Sequence, residues 1–224
     1  MATSKSTLAG NSGGEPLTVA QLLALHPFPA EYEKEKRIER LWTFDLPCTP
    51  EKIWPHIADT SRMNRSLGTA EMFFEERDGK RFGSSKPGGV KHEWVEVPWN
   101  WVANQWLTCL RIYERGFMRV MYAIHRVDPT PTGSRVYLYF GAVPRGALGS
   151  AALRLGFPSI EKAYKRVLPS LGEQIKRLEP AQLMTPAPTL DPNAEQRLKA
   201  QHDALIARGL DRACVDTLFA WIRT

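Results

Sequence analysis

The chain has 224 residues, of which 43% are hydrophobic and 24% are charged, and its 30 basic and 24 acidic side chains give a net charge of +6. This balance excludes collagen-like, mucin-like and fully disordered proteins, because those chains lack the apolar residues that a folded core needs. The length fits one large domain, or one domain with a small appendage.

The sequence predicts a chain without a membrane span. The longest apolar run, residues 136–143, has the length of a strand and falls short of the about 20 residues that a spanning helix needs. Residues 1–16 lack the apolar core of a signal peptide. Cys48, Cys109 and Cys214 lie far apart and form no Cys-x-x-Cys motif, so reduced thiols in a cytoplasmic protein are expected.

The basic excess lies entirely in residues 38–179, which carry 21 basic and 15 acidic side chains. These basic residues are scattered singly along the chain. Such a pattern is more typical of a solvated basic surface than of a nucleic-acid groove, which needs clustered phosphate contacts. No nucleic-acid partner is therefore expected.

Residues 1–37 are predicted to be a flexible leader followed by short N-terminal helices. Thr18 and Gln21 have the spacing of a capping box, which predicts a helix start at this point. Pro27 marks the end of that helix. The charged stretch 31–37 is predicted as an exposed helix that leads into the core.

The core is predicted to begin with a strand over residues 41–46. A helix follows from Thr49 and Pro50, and a second short helix over 61–67 ends at Gly68. Short β-prone runs then alternate with turn signals and predict six strands, at 70–76, 80–85, 90–97, 105–113, 117–127 and 134–143. Their short connections require antiparallel neighbours, because a parallel pair needs a crossover of about a dozen residues or more.

The longest predicted helix carries one apolar face from Ile160 to Leu178. Together these elements predict an α+β fold, in which a seven-stranded curved antiparallel sheet wraps around this long helix. One helix does not fill so wide a sheet, so a cavity between sheet and helix is expected.

The C-terminal region is predicted to be a small helical appendage. Residues 180–190 are a Pro-rich linker, and residues 191–224 form a two-helix tail. The apolar stripe of the last helix reaches Thr224 without a closing polar segment, which is expected of a truncated tail or of a naturally short one.

The segment from Leu41 to Asp59, a strand followed by a Pro-x-x-x-Trp helix, resembles the opening of the START and polyketide-cyclase-like (SRPBCC) superfamily. The resemblance covers about residues 38–179. It implies a helix-grip domain whose cavity binds a small hydrophobic or amphipathic ligand.

Three further motifs, at 98–101, 111–116 and 143–145, resemble the uncharacterised domain that precedes class III adenylate or guanylate cyclase domains in some bacterial proteins. The tail segments 208–212 and 217–219 resemble the helical region that follows it. None of the metal-binding or nucleotide-binding residues of a cyclase can be assigned within the chain. The resemblance therefore implies a regulatory sensor, with a C-terminal cyclase domain or a partner protein as its target.

The tryptophans and Arg111 of the strand region each allow two alternative interpretations. Four tryptophans between residues 94 and 106 would wall a pocket for a flat or greasy ligand, or would pack as an ordinary core hairpin. Arg111 and Tyr113 share a strand face with Leu107 and Cys109. Arg111 would hold a ligand carboxylate or phosphate, or pair with an internal acid such as Glu93 or Glu96.

Catalytic, metal and cofactor motifs are not found. His56, His92 and His125 have no zinc-ligand spacing, and single histidines on such faces are usually structural. The chain has no Gly-x-Ser-x-Gly, no Walker loop and no dinucleotide fingerprint. No catalytic residue, metal or cofactor is therefore assigned.

The predicted cavity residues are aromatic, basic or apolar side chains of the strands and of the long helix. They are His92, Trp94, Trp99, Trp101, Arg111, Tyr113, Tyr122, Tyr139, Tyr164 and Leu168. The glycine-bracketed segment 146–157, between the last strand and the long helix, is predicted as a mobile lip over the cavity or as a short capping helix.

Three functions compete. The sequence favours a non-catalytic binding or sensor module over an interaction domain with a collapsed cavity, and over a cyclase/aromatase-type enzyme that uses a cavity Arg, Tyr or His. An enzyme needs titratable groups that converge in the pocket. A binding module needs a pocket of roughly 300 Å³ or more.

Overall fold

A computed structural model describes residues 14–177, together with Asp203, Ile206 and Ala207. Four α-helices lie in the first of these ranges: α1 (Val19–Leu25), α2 (Pro50–Ala58), α3 (Thr60–Leu67) and α4 (Gly146–Arg177). Short 3-10 turns occur at Ala30–Tyr32 and Pro87–Gly89. The predicted starts of α1 and α2 are confirmed, as is the end of α3 at Gly68, which adopts the left-handed conformation expected of a C-terminal cap.

Eight strands follow in chain order: β1 (Ile38–Leu46), β2 (Phe73–Arg77), β3 (Lys80–Ser85), β4 (His92–Glu96), β5 (Asn100–Val102), β6 (Trp106–Arg115), β7 (Met118–Thr130) and β8 (Gly133–Pro144). They form one antiparallel sheet in the order β1-β8-β7-β6-β4-β3-β2, with β5 beside β6. The predicted fold class is confirmed. The sequence did not predict β5, because three residues are too short to show an alternating pattern.

The inner face of the sheet packs against α2, α3 and α4 and forms the main core. Alternate side chains on β6, such as Leu107, Cys109 and Tyr113, point to this face. On β7 the inward residues include Met121 and Ala123. The predicted sharing of one face by these β6 residues is therefore confirmed.

Helix α4 begins at Gly146, earlier than the apolar stripe predicted, and runs through Pro158 and Pro169. Its buried residues Phe157, Tyr164, Leu168 and Ile175 belong to the inner core, so the helix lies along the sheet as predicted. The segment 146–157 forms the first turns of this helix and is not a separate capping helix. The stretch is rich in alanine and leucine, which favour helix.

The outer face of the sheet is covered by the N-terminal segment. Leu22 of α1 and Phe28 pack there against Tyr122, Ile124 and Tyr139 in a second, smaller apolar cluster. The predicted capping box at Thr18 and Gln21 is present. The prediction of an exposed helix over 31–37 is wrong beyond Tyr32, where the 3-10 turn ends and the chain leads into β1.

The chain divides into two units, Met1–Arg177 and Leu178–Thr224. The second is described only at Asp203, Ile206 and Ala207, which are helical. The predicted linker at 180–190 and most of the predicted tail at 191–224 lie outside the described residues. Within the described part of the chain, no helix is both long and apolar enough to cross a membrane.

Candidate functional site

A carboxylate with five donors lies on the inner face of the sheet. The register of β4 and β6 places Glu96 directly opposite Arg111, and both side chains are buried. The carboxylate oxygens of Glu96 accept hydrogen bonds from Trp94 Nε1 (2.6 Å), Trp99 Nε1 (2.7 Å), Arg111 Nε (3.0 Å), Cys109 Sγ (3.1 Å) and Arg111 Nη2 (3.3 Å). Of the two predicted roles for Arg111, the structure shows the internal ion pair.

The electrostatics of this network favour an ionised Glu96. Burial alone would raise the pKa of Glu96, but the charge of Arg111 and the hydrogen bonds to the carboxylate outweigh it and hold the pKa below its usual range. Burial raises the pKa of the Cys109 thiol and raises that of Tyr113 to about 12. Both groups are therefore neutral at pH 7, and the pair of opposite charges stands in an otherwise uncharged layer.

The Trp94 ring packs against both Arg111 and Tyr113. The Arg111 guanidinium lies over the Trp94 ring, 4.9 Å from its centre, and the centres of the Trp94 and Tyr113 rings are 5.4 Å apart. Gly83 on β3 is the register partner of Trp94, and a Cβ at that position would overlap the indole. The close approach of the indole to β3 therefore requires a glycine there.

A small cavity adjoins this network between the sheet and the helices. Its volume is about 30 Å³, which is room for a single water molecule rather than for an organic ligand. It is lined by Thr60, Met63 and Asn64 of α3, by strand residues Cys109, Arg111, Met121, Ala123, His125 and Phe140, and by Tyr164 of α4. The interior is thus far smaller than the roomy cavity predicted, because large aromatic side chains of β1 and α4 fill the space.

Two of the titratable groups that line this cavity are His125 and Tyr164. Burial lowers the pKa of His125 to about 4, so its ring is neutral at pH 7, and Nδ1 lies 3.2 Å from the Ile57 carbonyl oxygen. Because a carbonyl only accepts, Nδ1 carries the proton and donates to it. Burial raises the pKa of Tyr164, so the hydroxyl is protonated as well.

Methionine side chains form the adaptable part of the wall. Met63 and Met121 line the cavity. The sulfur of Met72 accepts from Arg111 Nη1 at 3.4 Å and from Asn64 Nδ2 at 3.2 Å. Methionine is unbranched and re-packs readily, so this side of the cavity can change shape at modest cost.

The ten predicted cavity residues occupy five different places. Arg111 and Tyr164 line the interior cavity. His92, Trp94 and Tyr113 are buried on the same face beside the cavity, where the Tyr113 ring contacts the other two. Leu168 is part of the solid core. Trp99 and Trp101 line a surface groove, and Trp101 is 62% exposed.

Tyr122 and Tyr139 lie on the outer face and do not line the interior cavity. The physical reason is the alternation of strand side chains: Tyr122 lies between Met121 and Ala123, which both point inward. Tyr139 donates instead to Glu39 Oε1 at 2.6 Å.

The lining residues absent from the predicted set fall into two groups, one with a signal in the sequence and one without. Met121, Ala123 and His125 alternate along β7 in the same way. The alternation of strand side chains therefore predicts that all three point to one face. The α3 residues Thr60, Met63 and Asn64 come from a polar octapeptide in which nothing marks a wall of the core. Glu96 does not line the cavity itself, and the sequence predicts it only as a possible acidic partner of Arg111.

The described residues also form surface grooves. One, of about 300 Å³, lies between α3 and α4 and is lined by His56, Arg62, Met63, Ser66, Arg166, Val167, Ser170, Leu171 and Gln174. A second, of about 590 Å³, lies beside β3 and β4 and includes Glu76, Arg81, Glu96, Trp99 and Trp101. A third, of about 410 Å³, includes Glu51, Asn104, Arg126 and Asp128.

Among the described residues, no group of three His, Cys, Asp or Glu side chains is placed to hold a metal ion.

The motifs that carry the narrower sequence resemblance are in physical contact. Arg145 Nη2 donates to the carbonyl oxygens of Tyr113 (2.8 Å) and Glu114 (3.2 Å), and Glu96 joins Trp99 to Arg111. The three motifs thus belong to one network around the inner face.

A curved antiparallel sheet closes over one long C-terminal helix, with two short helices inserted after the first strand. This chain has the helix-grip fold. The expected fold resemblance is thereby confirmed, whereas the link to adenylate cyclases stays a prediction.

Comparison with known proteins adds likenesses of fold. No protein-family model and no curated protein matches the sequence. The chain is similar to the di-domain aromatase/cyclase StfQ of the steffimycin biosynthetic pathway, with 12% identity and a TM-score of 0.48 over 64% of this chain and 53% of that one. It is also similar to the aromatase/cyclase Zhui from a Streptomyces species, with 13% identity and a TM-score of 0.49 over 65% of this chain and 97% of that one.

A third similar structure is Ara h 8.0201, with 8% identity and a TM-score of 0.42 over 62% of this chain and 99% of that one. The chain spans about half the length of the di-domain protein. At such identities the helix-grip assignment depends on the sheet order and on α4, and not on these matches.

Proposed function

We propose that the chain is a non-catalytic binding module for a small hydrophobic or amphipathic molecule, held between the sheet and α4 with its polar end at Arg111. The observation that carries this proposal is a buried arginine on the wall of the interior cavity, beside a cluster of methionines. A buried ion pair usually contributes little to stability compared with a well-packed apolar pair. Its presence beside a cavity is therefore better explained by binding than by folding.

Arg111 has donor capacity to offer a ligand. Its Nε and Nη2 groups are used by Glu96, whereas Nη1 donates to the Met72 sulfur. A thioether is a weak acceptor, and a ligand oxygen would be a stronger one. A carboxylate, carbonyl or phosphate oxygen that displaces Met72 would gain a charge-assisted hydrogen bond without disturbing Glu96.

The cavity must enlarge before an organic molecule can enter. It holds about 30 Å³, whereas ligand pockets usually have roughly 300 Å³ or more. Met63 lines both this cavity and the α3–α4 groove, so a change in its rotamer would join the two spaces. Opening at α3 is the route that we propose, since Met63 and the nearby Met72 have flexible side chains.

We also propose a regulatory role, in which ligand binding is relayed to a C-terminal cyclase domain or to a partner protein. This part rests on the sequence resemblance of the three motifs. Their contact through Arg145, Tyr113 and Glu96 supports it, because a ligand at Arg111 would act on the strand that Arg145 ties to the start of α4. Signalling further requires that the ligand bind two conformations with different affinity.

A second candidate function is an interaction domain whose interior stays closed, and the small cavity favours it. The cyclase/aromatase-type enzyme has less support. Arg111 is engaged by Glu96, and the proton on His125 Nδ1 is committed to the Ile57 carbonyl.

The test is a titration of the purified chain with medium-chain fatty acids and aromatic carboxylates, followed by tryptophan fluorescence, since Trp94 adjoins Arg111. Ala123→Leu fills the interior space, and Ala103→Leu adds the same side chain at an exposed turn as the control. Saturable binding that Ala123→Leu abolishes and Ala103→Leu preserves would support the binding module. Absence of binding would favour the interaction domain, whereas binding that both variants retain would show that the ligand does not occupy the interior.

A further inference from the structure

The groove between α3 and α4 has polar walls and an apolar floor. Arg62 and Ser66 stand four residues apart on α3, and Arg166 and Ser170 have the same spacing on α4, so each pair follows one helix face. The floor is formed by Met63, Val167 and Leu171. With a volume of about 300 Å³, the groove has the size of a small-ligand site.

The charge of this groove is of one sign. None of its nine lining residues is Asp or Glu, and within the described part of the chain neither Arg62 nor Arg166 forms an ion pair. The nearby Asp59 is already used, because its Oδ1 accepts the backbone N–H of Arg62 at 2.9 Å and caps α3. Among the described residues, two guanidinium groups therefore share the groove without a counter-charge.

The other two grooves differ in this respect. The groove at Trp99 and Trp101 includes Glu76 and Glu96, and the groove at Arg126 includes Glu51 and Asp128. An acidic lining residue repels an anion and competes for the arginine. Of the three, the α3–α4 groove is the one that suits a negatively charged ligand.

We propose that the α3–α4 groove binds the anionic head group of an amphipathic molecule, a carboxylate or a phosphate, between Arg62 and Arg166. The hydroxyls of Ser66 and Ser170 add donors beside the arginines, and the apolar part of the ligand lies over Met63, Val167 and Leu171. Arginine suits both head groups because its planar fork matches two oxygens at once.

This site is separate from the interior cavity, and its occupation requires no opening of the sheet. Met63 is the side chain that the two spaces share. Because the groove can be occupied while the interior stays closed, this proposal can be tested separately from the binding function proposed for the interior.

The experiment measures binding to the full chain by isothermal titration calorimetry with three probes below their aggregation limits: octyl phosphate, inorganic phosphate and octan-1-ol. Arg62→Gln and Arg166→Gln remove the two charges. Arg65→Gln and Arg154→Gln are the matched controls, because each removes an exposed arginine from the same helix, α3 or α4, outside the groove. Loss of one charge-assisted contact predicts about tenfold weaker binding of octyl phosphate for each groove variant.

The expected result is that octyl phosphate binds more tightly than either half of the molecule, and that only the groove variants weaken it. Equal losses in the groove and control variants would show a general charge effect and overturn the proposal. Octan-1-ol binding as tightly as octyl phosphate would overturn it too, since the head group would then go unrecognised.

The variant Ala123→Leu distinguishes this site from the interior one. The groove should bind octyl phosphate in this variant with the affinity that it has in the parent chain. If Ala123→Leu abolishes binding while the groove variants do not, the amphiphile occupies the interior, and the groove proposal fails although the interior proposal survives.

Discussion

Glu96 and Arg111 are cross-strand partners, and the ion pair that they form, with Nε and Oε2 3.0 Å apart, is almost fully shielded from solvent. Each charge is compensated by the other, and three further donors complete the shell of the carboxylate. The inner face of the sheet is therefore organised around one charged pair in an otherwise uncharged layer.

The Glu96–Arg111 pair predicts strongly non-additive mutations. Glu96→Ala leaves the guanidinium buried without a partner and should lower the free energy of unfolding by about 3–5 kcal/mol. The double variant Glu96→Met with Arg111→Met replaces both charges by apolar groups and should cost much less. Urea unfolding measures both changes, with Glu93→Ala, a partly exposed neighbour on β4 that pairs with Lys91 and Arg115 at the surface, as a control with a much smaller effect. A double variant less stable than Glu96→Ala would contradict this account of the pair.

The free energy of unfolding should decrease as the pH is lowered, because of His125. Its pKa is depressed in the folded chain to about 4 from 6.5, so the unfolded chain binds the proton first. The stabilisation is complete above pH 6.5 and is lost as the pH falls towards 4, by about 3 kcal/mol in total. The lowered pKa of Glu96 acts in the same direction, with its loss beginning as the pH reaches the usual carboxyl range and continuing below it.

His125→Asn keeps a donor for the Ile57 carbonyl but removes the titration. This variant should lose about 3 kcal/mol less than the parent chain between pH 7 and pH 4, as measured by urea unfolding at the two pH values. Identical pH slopes for the two proteins would show that His125 is not the responsible group.

Replacement by alanine should have opposite effects on stability at two glycines. Gly83→Ala forces the Trp94 indole to shift and should destabilise the fold by about 1–3 kcal/mol, as overpacking does. Gly156 lies within α4 with open space around its Cα, so Gly156→Ala should stabilise by about 0.5–1 kcal/mol. Thermal unfolding followed by circular dichroism measures both effects. A neutral Gly83→Ala would mean that Trp94 has room to move.

Two tyrosines test which face of the sheet binds a ligand. Tyr164→Phe removes a hydroxyl from the cavity wall and should weaken ligand binding by at least several-fold. Tyr139→Phe removes a hydroxyl from the outer face, where it donates to Glu39, and should cost about 1 kcal/mol of stability without affecting binding. Fluorescence titration and urea unfolding of both variants separate the two effects, and the opposite assignment of losses would place the site on the outer face.

The fold was predictable because its signals are local. Alternation along β6 gave the shared face of Arg111 and Tyr113, and the turn signals between strands required antiparallel pairing. Tyr122 and Tyr139 lie on the outer face because their neighbours in sequence, such as Met121 and Leu138, point to the inner one.

The cavity volume was not predictable from the sequence. It depends on how far Trp42, Phe157 and Tyr164 reach across the core, and these contacts join residues far apart in the chain. The contribution of α3 was hidden for a similar reason, since only tertiary packing turns Met63 towards both the cavity and the groove.

The central claim is that the space beside Arg111 opens to hold a small molecule. Native mass spectrometry of the freshly purified full chain, compared with Ala123→Leu prepared in parallel, tests it most directly. The account predicts a bound small molecule in a one-to-one ratio on the parent chain and none on the variant. An unliganded parent chain that also binds none of the added fatty acids, or the same molecule on both proteins, would contradict it.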